Sequence, residues 1–196
     1  ASDVYKRQVG MYATLNKQIG SSSSSGVSFV ASAGQGLSWF QSEGYAKLLK
    51  EVEKAEGSLP VAVVFNLGVN DMANASNYVS YMTNIASTLK SKNCKLFYMS
   101  VNPLNSTMIT KAGKGSRTEA QVREFNSKIR SGLSANYKYI DTYSVLMKTG
   151  YGTNASYNGE DSVSDDGLHY TTKTFKRIYY YCVIYLNTGS IDSFYY

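Results

Sequence analysis

The sequence predicts one α/β domain, in which a parallel sheet lies between two layers of helices. Stretches with helical spacing alternate with short apolar stretches, a pattern that favours repeated β–α units with right-handed crossovers. Two apolar stretches, residues 61–67 and 95–101, have the character of strands buried on both faces. The 196 residues, 43% of them hydrophobic, suffice for one full core and are few for two domains.

Hydrophobic periodicity, together with residues that interrupt regular structure, predicts each helix and strand in turn. Residues 8–18 have helical spacing, and the serine run at residues 21–25 reads as a flexible connection. Residues 27–31 predict a short strand that runs into a glycine turn at residues 34–36. The remaining predictions are helix 45–55, strand 61–67, helix 77–92, strand 95–101, helix 118–133, strand 137–141 and helix 171–186.

Two prolines and one apolar stripe support the predicted strands at 61–67 and 95–101 and the predicted helix at 118–133. Pro60 opens the strand at 61–67, and Pro103 ends the strand at 95–101 because proline disfavours helical backbone at the residue before it. The helix at 118–133 has one apolar stripe, formed by Val122, Phe125, Ile129 and Leu133. Residues 150–166 form a long polar loop, and loops of that length often carry function.

The composition argues against several kinds of partner. The net charge is +6, but the 20 Lys and Arg are scattered, so no nucleic-acid patch is predicted. No stretch approaches the roughly 18 apolar residues of a transmembrane segment. No Cys/His spacing fits a metal site, no cofactor is expected, and Cys94 and Cys182 are predicted to be buried free thiols. The 18 tyrosines could contact sugars or could fill the core.

The strongest chemical signal is the string from Asp166 to His169, which holds the only histidine of the sequence. At this spacing, just before a helix, the carboxylate can bind one ring nitrogen and leave the other to act as a base. The alternative is a helix-capping aspartate beside a surface histidine. By itself the spacing leaves both open.

A second signal is the turn Gly68-Val69-Asn70-Asp71, which follows an apolar strand. The Asn70 amide could donate to an oxyanion, while Gly68 permits a sharp turn and Asp71 could fix the loop by hydrogen bonds to backbone. Gly34 could offer a second oxyanion donor through a backbone N–H that no side chain obstructs. Each feature also fits an ordinary turn.

The order of these motifs resembles blocks II, III and V of the SGNH/GDSL hydrolase family, over residues 7–187. The resemblance implies a flavodoxin-like three-layer α/β/α fold and serine-type hydrolysis of acyl esters, including small-molecule or carbohydrate esters. By residue match, it implies that Gly34 and Asn70 are the oxyanion donors, that His169 is the base and that Asp166 orients it. Oligomeric state is left open, and a secreted or bacterial cell-surface location is compatible with the family.

The segment before Arg7 departs from the family pattern, in which an apolar strand runs into Gly-Asp-Ser. Ungapped alignment places Lys6 at the position of the nucleophilic serine. We therefore expect residues 1–6 to be a truncated or non-native start, residues 7–187 to be the domain and residues 188–196 to be a tail. The central strand between residues 27–31 and 61–67 would then be missing or partly replaced.

The sequence is also compatible with two other functions. One is a catalytically dead binding module of the same fold, for glycans or acylated ligands. The other is a flavodoxin-like domain with a phosphate-binding turn, although the sequence has no glycine-rich P-loop and the serine run precedes a strand rather than a helix.

Overall fold

The protein is a three-layer α/β/α domain, as the sequence predicted. The computed structural model describes residues 27–32, 34–55, 60–148 and 166–191, without the side chains of residues 172 and 173. In this part of the chain the sheet has three strands: β1 (Val61–Phe65), β2 (Cys94–Met99) and β3 (Lys138–Ile140). They lie in the order β1-β2-β3, and both pairs are parallel.

Helices connect the strands and cover the sheet. The first, α1 (Leu37–Trp39), continues through a π-helical turn (Phe40–Gly44) into α2 (Tyr45–Lys54). A 3-10 turn (Met72–Asn74) leads into α3 (Ala75–Ser91). The later helices are α4 (Ser106–Lys111), α5 (Glu119–Gly132), α6 (Thr142–Lys148) and α7 (Thr172–Thr188).

The central strand β2 packs against helices on both faces because its side chains alternate. Leu96 and Tyr98 belong to the cluster that contains buried residues of α2, α3 and α5. Phe97 and Met99 belong to a second cluster, with buried residues of α6 and α7. This alternation makes the stretch apolar throughout, and it explains why an almost unbroken apolar sequence predicted a doubly covered strand.

The predicted helices and strands from residue 45 onwards are present, each with ends within two residues of the prediction. Capping side chains account for several starts: Thr118 forms a capping box with Gln121, and Thr171 accepts from the backbone N–H of Thr174. Both cysteines are buried and free, and no helix among the described residues is long and apolar enough to cross a membrane.

The strand predicted at residues 27–31 is wrong, since residues 27–32 have no regular secondary structure. Apolar residues alone do not make a strand, which also needs a neighbour for its backbone hydrogen bonds, and in the described residues β1 pairs only with β2. The predictions for residues 1–6, 8–18 and 21–25, and most of the loop at 150–166, fall outside the described residues. So does the expected loss of a central strand.

Candidate active site

The turn from Gly68 to Asp71 and the turn from Asp166 to His169 both lie at the carboxyl edge of the sheet. Because β1 and β2 are parallel neighbours, the turn after β1 and the segment after β2 leave the same edge. The turn that carries Asp166 packs against the segment after β2, where the backbone N–H of Asn105 donates to the carbonyl of Gly167 at 2.8 Å. The Tyr170 hydroxyl donates to the Pro103 carbonyl at 2.7 Å. These bonds hold the Asp166–His169 turn on the sheet edge.

Asp166 and His169 form one hydrogen-bonded unit. The Oδ1 atom of Asp166 accepts from the backbone N–H groups of Leu168 at 3.0 Å and His169 at 2.9 Å. The Oδ2 atom forms a short contact with Nδ1 of the His169 ring. His169 is buried, with 6% of its surface exposed. The alternative of a helix-capping aspartate beside a surface histidine is therefore wrong: His169 is buried, Thr171 caps the helix, and Asp166 binds turn N–H groups with one oxygen and the imidazole with the other.

The environment of Asp166 favours its charged form. Burial raises the pKa of this carboxyl, but the backbone N–H groups of His169 and Leu168, together with the hydrogen bond and charge of the His169 ring, outweigh burial and hold the pKa well below its usual range. An ionised carboxylate at Nδ1 selects the tautomer in which Nδ1 carries the proton, so that Nε2 is the basic nitrogen.

The Asp71 carboxylate joins the turn after β1 to the start of α1. Its Oδ2 atom accepts from the backbone N–H of Leu37 at 2.8 Å, and its Oδ1 atom accepts from the Tyr78 hydroxyl at 2.6 Å. Gly36 permits this approach, because a Cβ atom there would lie 2.3 Å from Oδ2 of Asp71. Burial raises the pKa of Tyr78 strongly, which keeps its hydroxyl protonated as a donor.

Asn70 and Gly34 line one cavity of about 400 Å³ at this edge, beside Gly36 and Asp71. The Nδ2 atom of Asn70 donates to the Gln35 carbonyl at 3.1 Å, so the Asn70 amide itself joins the two loops. Gly34 has a φ of 71°, in the left-handed region that favours glycine. The two predicted oxyanion donors, Gly34 and Asn70, therefore line the same cavity. His169 is not among the residues that line it.

Gly68 has both a conformational and a steric reason to be glycine. Its φ is 117°, and a Cβ atom there would lie 2.2 Å from Cζ of Phe125 on α5. The turn is closed by the backbone N–H of Asp71, which donates to the Gly68 carbonyl at 3.1 Å. The turn after β1 is thus packed directly on α5.

Sequence reasoning missed Arg117, Gln35, Tyr78 and Gly36 as partners of this turn. Tyr78 lies on α3, only seven residues after Asp71. This short separation is a signal that could have indicated a contact between its hydroxyl and the turn. Arg117 contacts Asn70 across 47 residues of sequence, and no local pattern carries that information. Lys6, which the alignment places at the nucleophile position, lies outside the described residues.

Comparison with known families agrees with the fold. The three layers and the loops at the carboxyl edge of the sheet are those of an SGNH-fold hydrolase. The model of the family described as GDSL-like lipase/acylhydrolase matches residues 1–181, and the chain belongs to this family. Membership supports the hydrolysis of acyl esters as the general reaction class. None of the curated proteins compared with the chain matches it.

Replacing Gly68 with alanine should destabilise the protein far more than the same change at Gly113. Both glycines have positive φ, but a Cβ at Gly113 would meet nothing within 4 Å, whereas one at Gly68 would overlap Phe125. We expect Gly113→Ala to cost about 1 kcal/mol of backbone strain and Gly68→Ala to cost roughly 1–3 kcal/mol more through overpacking. Urea unfolding of the two variants measures this difference, and equal midpoints would contradict it.

Replacing Asp166 with asparagine should remove part of the loss of stability in acid. The folded-state pKa of Asp166 is lowered, so its stabilisation is present above the unfolded-state pKa of about 3.9 and is lost as the pH falls from there through the folded-state pKa. Free energies of unfolding at pH 7 and pH 3 should therefore differ less in Asp166→Asn than in the parent chain. His169→Gln, which removes only the ring, should give an intermediate difference. Parallel pH profiles for all three would refute this account.

Proposed function

We propose that this chain carries a serine-esterase type of site, with His169 as general base, Asp166 as the group that orients it, and Asn70 and Gly34 as oxyanion donors. The observation that carries the proposal is the Asp166–His169 unit, in which one carboxylate is fixed by two backbone N–H groups and binds Nδ1. Family membership supports the reaction class, and the positions of these residues at the sheet edge support the proposed roles.

The proposed base works through its tautomer. Asp166 accepts from Nδ1–H, so Nε2 can take the proton from a serine hydroxyl as that oxygen attacks the ester carbonyl. The imidazolium that forms is stabilised by the carboxylate, which does not itself take up the proton. Nε2 then returns the proton to the leaving alcohol, and the same base activates water to release the acyl group.

The proposed oxyanion donors would stabilise the tetrahedral intermediate. The Asn70 side-chain amide has two N–H bonds, one of which donates to the Gln35 carbonyl at 3.1 Å and so fixes the plane of the amide. The second N–H and the backbone N–H of Gly34, which borders the same cavity, would donate to the negative oxygen. Donors fixed in advance need no reorganisation as charge develops.

The nucleophile is the part of the site that this chain would lack. Lys6 occupies the position of the serine in the alignment. A protonated lysine side chain has no free lone pair, so it cannot attack an ester carbonyl. We therefore propose that the chain as written is inactive towards esters. The same observation favours, as a second candidate function, a binding module that keeps the fold without catalysis.

The walls of the cavity favour a polar portion of the substrate. The residues that line the cavity include Trp39, which has a large apolar side chain, and Ser38, Ser42 and Glu43, which have polar side chains. A hydrogen bond from Lys47, together with its charge, lowers the pKa of Glu43 and keeps it ionised. A fatty acyl chain would desolvate these groups without replacing their hydrogen bonds, whereas a neutral hydroxylated group could bind them. An acylated carbohydrate fits this chemistry.

Restoring the nucleophile should restore turnover. The unmodified chain should retain at most the roughly 10³–10⁴-fold acceleration over water that donors and binding provide without a nucleophile. A chain rebuilt with an apolar strand ending in Gly-Asp-Ser ahead of Arg7 should hydrolyse nitrophenyl acetate with saturation kinetics. The matched control ends in Gly-Asp-Ala and should stay inactive, and His169→Ala in the rebuilt chain should lower kcat at least about 10³-fold. Activity that survives His169→Ala would exclude the proposed base.

Binding of a neutral sugar should change the fluorescence of Trp39, which is the only tryptophan in the sequence. We expect a saturable change when the unmodified chain is titrated with xylobiose and none with hexanoate, because the cavity walls carry polar groups. Ser42→Leu should weaken xylobiose binding at least about tenfold by replacing a hydroxyl with an apolar group. Ser87→Leu, an exposed change on α3, should bind as the parent does. Tighter binding of hexanoate than of xylobiose would overturn the polar assignment.

A further inference from the structure

Arg117 reaches the turn after β1 from the segment that precedes α5. Its Nε–H donates to the Val69 carbonyl at 3.0 Å, and one terminal N–H donates to Oδ1 of Asn70 at 3.2 Å. The other terminal nitrogen donates to the Lys114 carbonyl at 2.9 Å, which fixes the guanidinium at its own end. The side chain thus contacts both the backbone and the side chain of the proposed donor turn.

This contact decides which way the Asn70 amide faces. A guanidinium has only donors, so the amide must present its oxygen to Arg117 and its nitrogen to the opposite side. On that side Nδ2 donates to the Gln35 carbonyl, at the loop that also borders the cavity. Hydrogen bonds at both ends restrain the amide in this orientation and thereby restrain the direction of its second N–H.

The charge of Arg117 acts in the same sense. A cation at Oδ1 draws electron density towards the oxygen and makes the amide N–H groups stronger donors, since hydrogen bonds in a chain polarise one another. This effect is larger for the charged intermediate than for the neutral ester.

We propose that Arg117 is a positioning residue that orients and polarises the Asn70 amide as an oxyanion donor. This inference rests on the proposed function, because it concerns the same site. Arg117 acts through Asn70 and contributes to the rate without touching substrate. It therefore affects kcat and leaves KM nearly unchanged, since the interaction it improves strengthens in the transition state.

A double-mutant cycle in the chain rebuilt with Gly-Asp-Ser tests the coupling. Arg117→Met should lower kcat about tenfold, and Asn70→Ala should lower it by roughly 10²–10³-fold, as loss of a whole oxyanion donor does. The double variant should be no slower than Asn70→Ala alone, because Arg117 has no effect once the amide is gone. Additive losses in the double variant would overturn the inference and leave the proposed function standing.

Two further variants separate positioning from general effects. Lys114→Met removes a neighbouring positive charge but keeps the backbone carbonyl that Arg117 binds, and it should leave kcat unchanged. Arg117→Lys keeps a charge and one donor, and it should recover part of the rate lost in Arg117→Met. A Lys114→Met loss equal to that of Arg117→Met would show a net-charge effect and would overturn the positioning role.

A spectroscopic measurement in the unmodified chain needs no catalysis. The side-chain amide of Asn70, assigned in a ¹H–¹⁵N correlation spectrum by its absence in Asn70→Asp, should shift in Arg117→Met and Arg117→Lys and stay in place in Lys114→Met. An unmoved Asn70 amide would overturn the inference whether or not the rebuilt chain is active. An inactive rebuilt chain with a shifted amide would instead refute the proposed function and leave only the orienting contact between Arg117 and Asn70.

Discussion

The Asp71 carboxylate is the contact on which the arrangement at the sheet edge depends. It binds the N–H of Leu37 and the hydroxyl of Tyr78, so it joins the turn after β1 to the start of α1 and to α3. Gly36 and Gly68 leave the space that this compact packing requires. Because a partly buried carboxylate that loses its hydrogen-bond donors is destabilising, the three segments are held together as a unit. Because Asn70 directly precedes Asp71 in the chain, the same contacts also restrain the position of Asn70.

A second group of polar contacts anchors the segment after β2 and, through it, the Asp166–His169 turn. The Asn126 side chain on α5 binds both the N–H and the carbonyl of Val101, at 2.9 and 2.8 Å. The Thr142 hydroxyl donates to Asn102 at 2.6 Å from the start of α6. Gly167 then fits against the Asn105 carbonyl, where a Cβ would lie 2.5 Å away. The turn is therefore placed by helices on both faces of the sheet.

The sequence predicted what depends on neighbouring residues and missed what depends on distant ones. Buried strands, amphipathic helices and the Asp166–His169 pairing follow from local spacing, and the structure has them. The strand predicted at residues 27–31 fails because pairing is a tertiary property, although Val30 still packs on the core. Short helices such as α4 and α6 have too few turns to show a period. The Arg117–Asn70 contact could not be predicted, since nothing near either residue encodes the other.

Each of the two turns at the sheet edge is held by contacts of its own. Asn70 is held by Gln35, Arg117 and the turn closed at Gly68, and His169 is held by Asp166 and the segment after β2. The proposed base and donors are therefore positioned by hydrogen bonds from several segments of the described part of the chain. A nucleophile delivered to this edge would meet groups already in place, which is the condition under which electrostatic stabilisation is most effective.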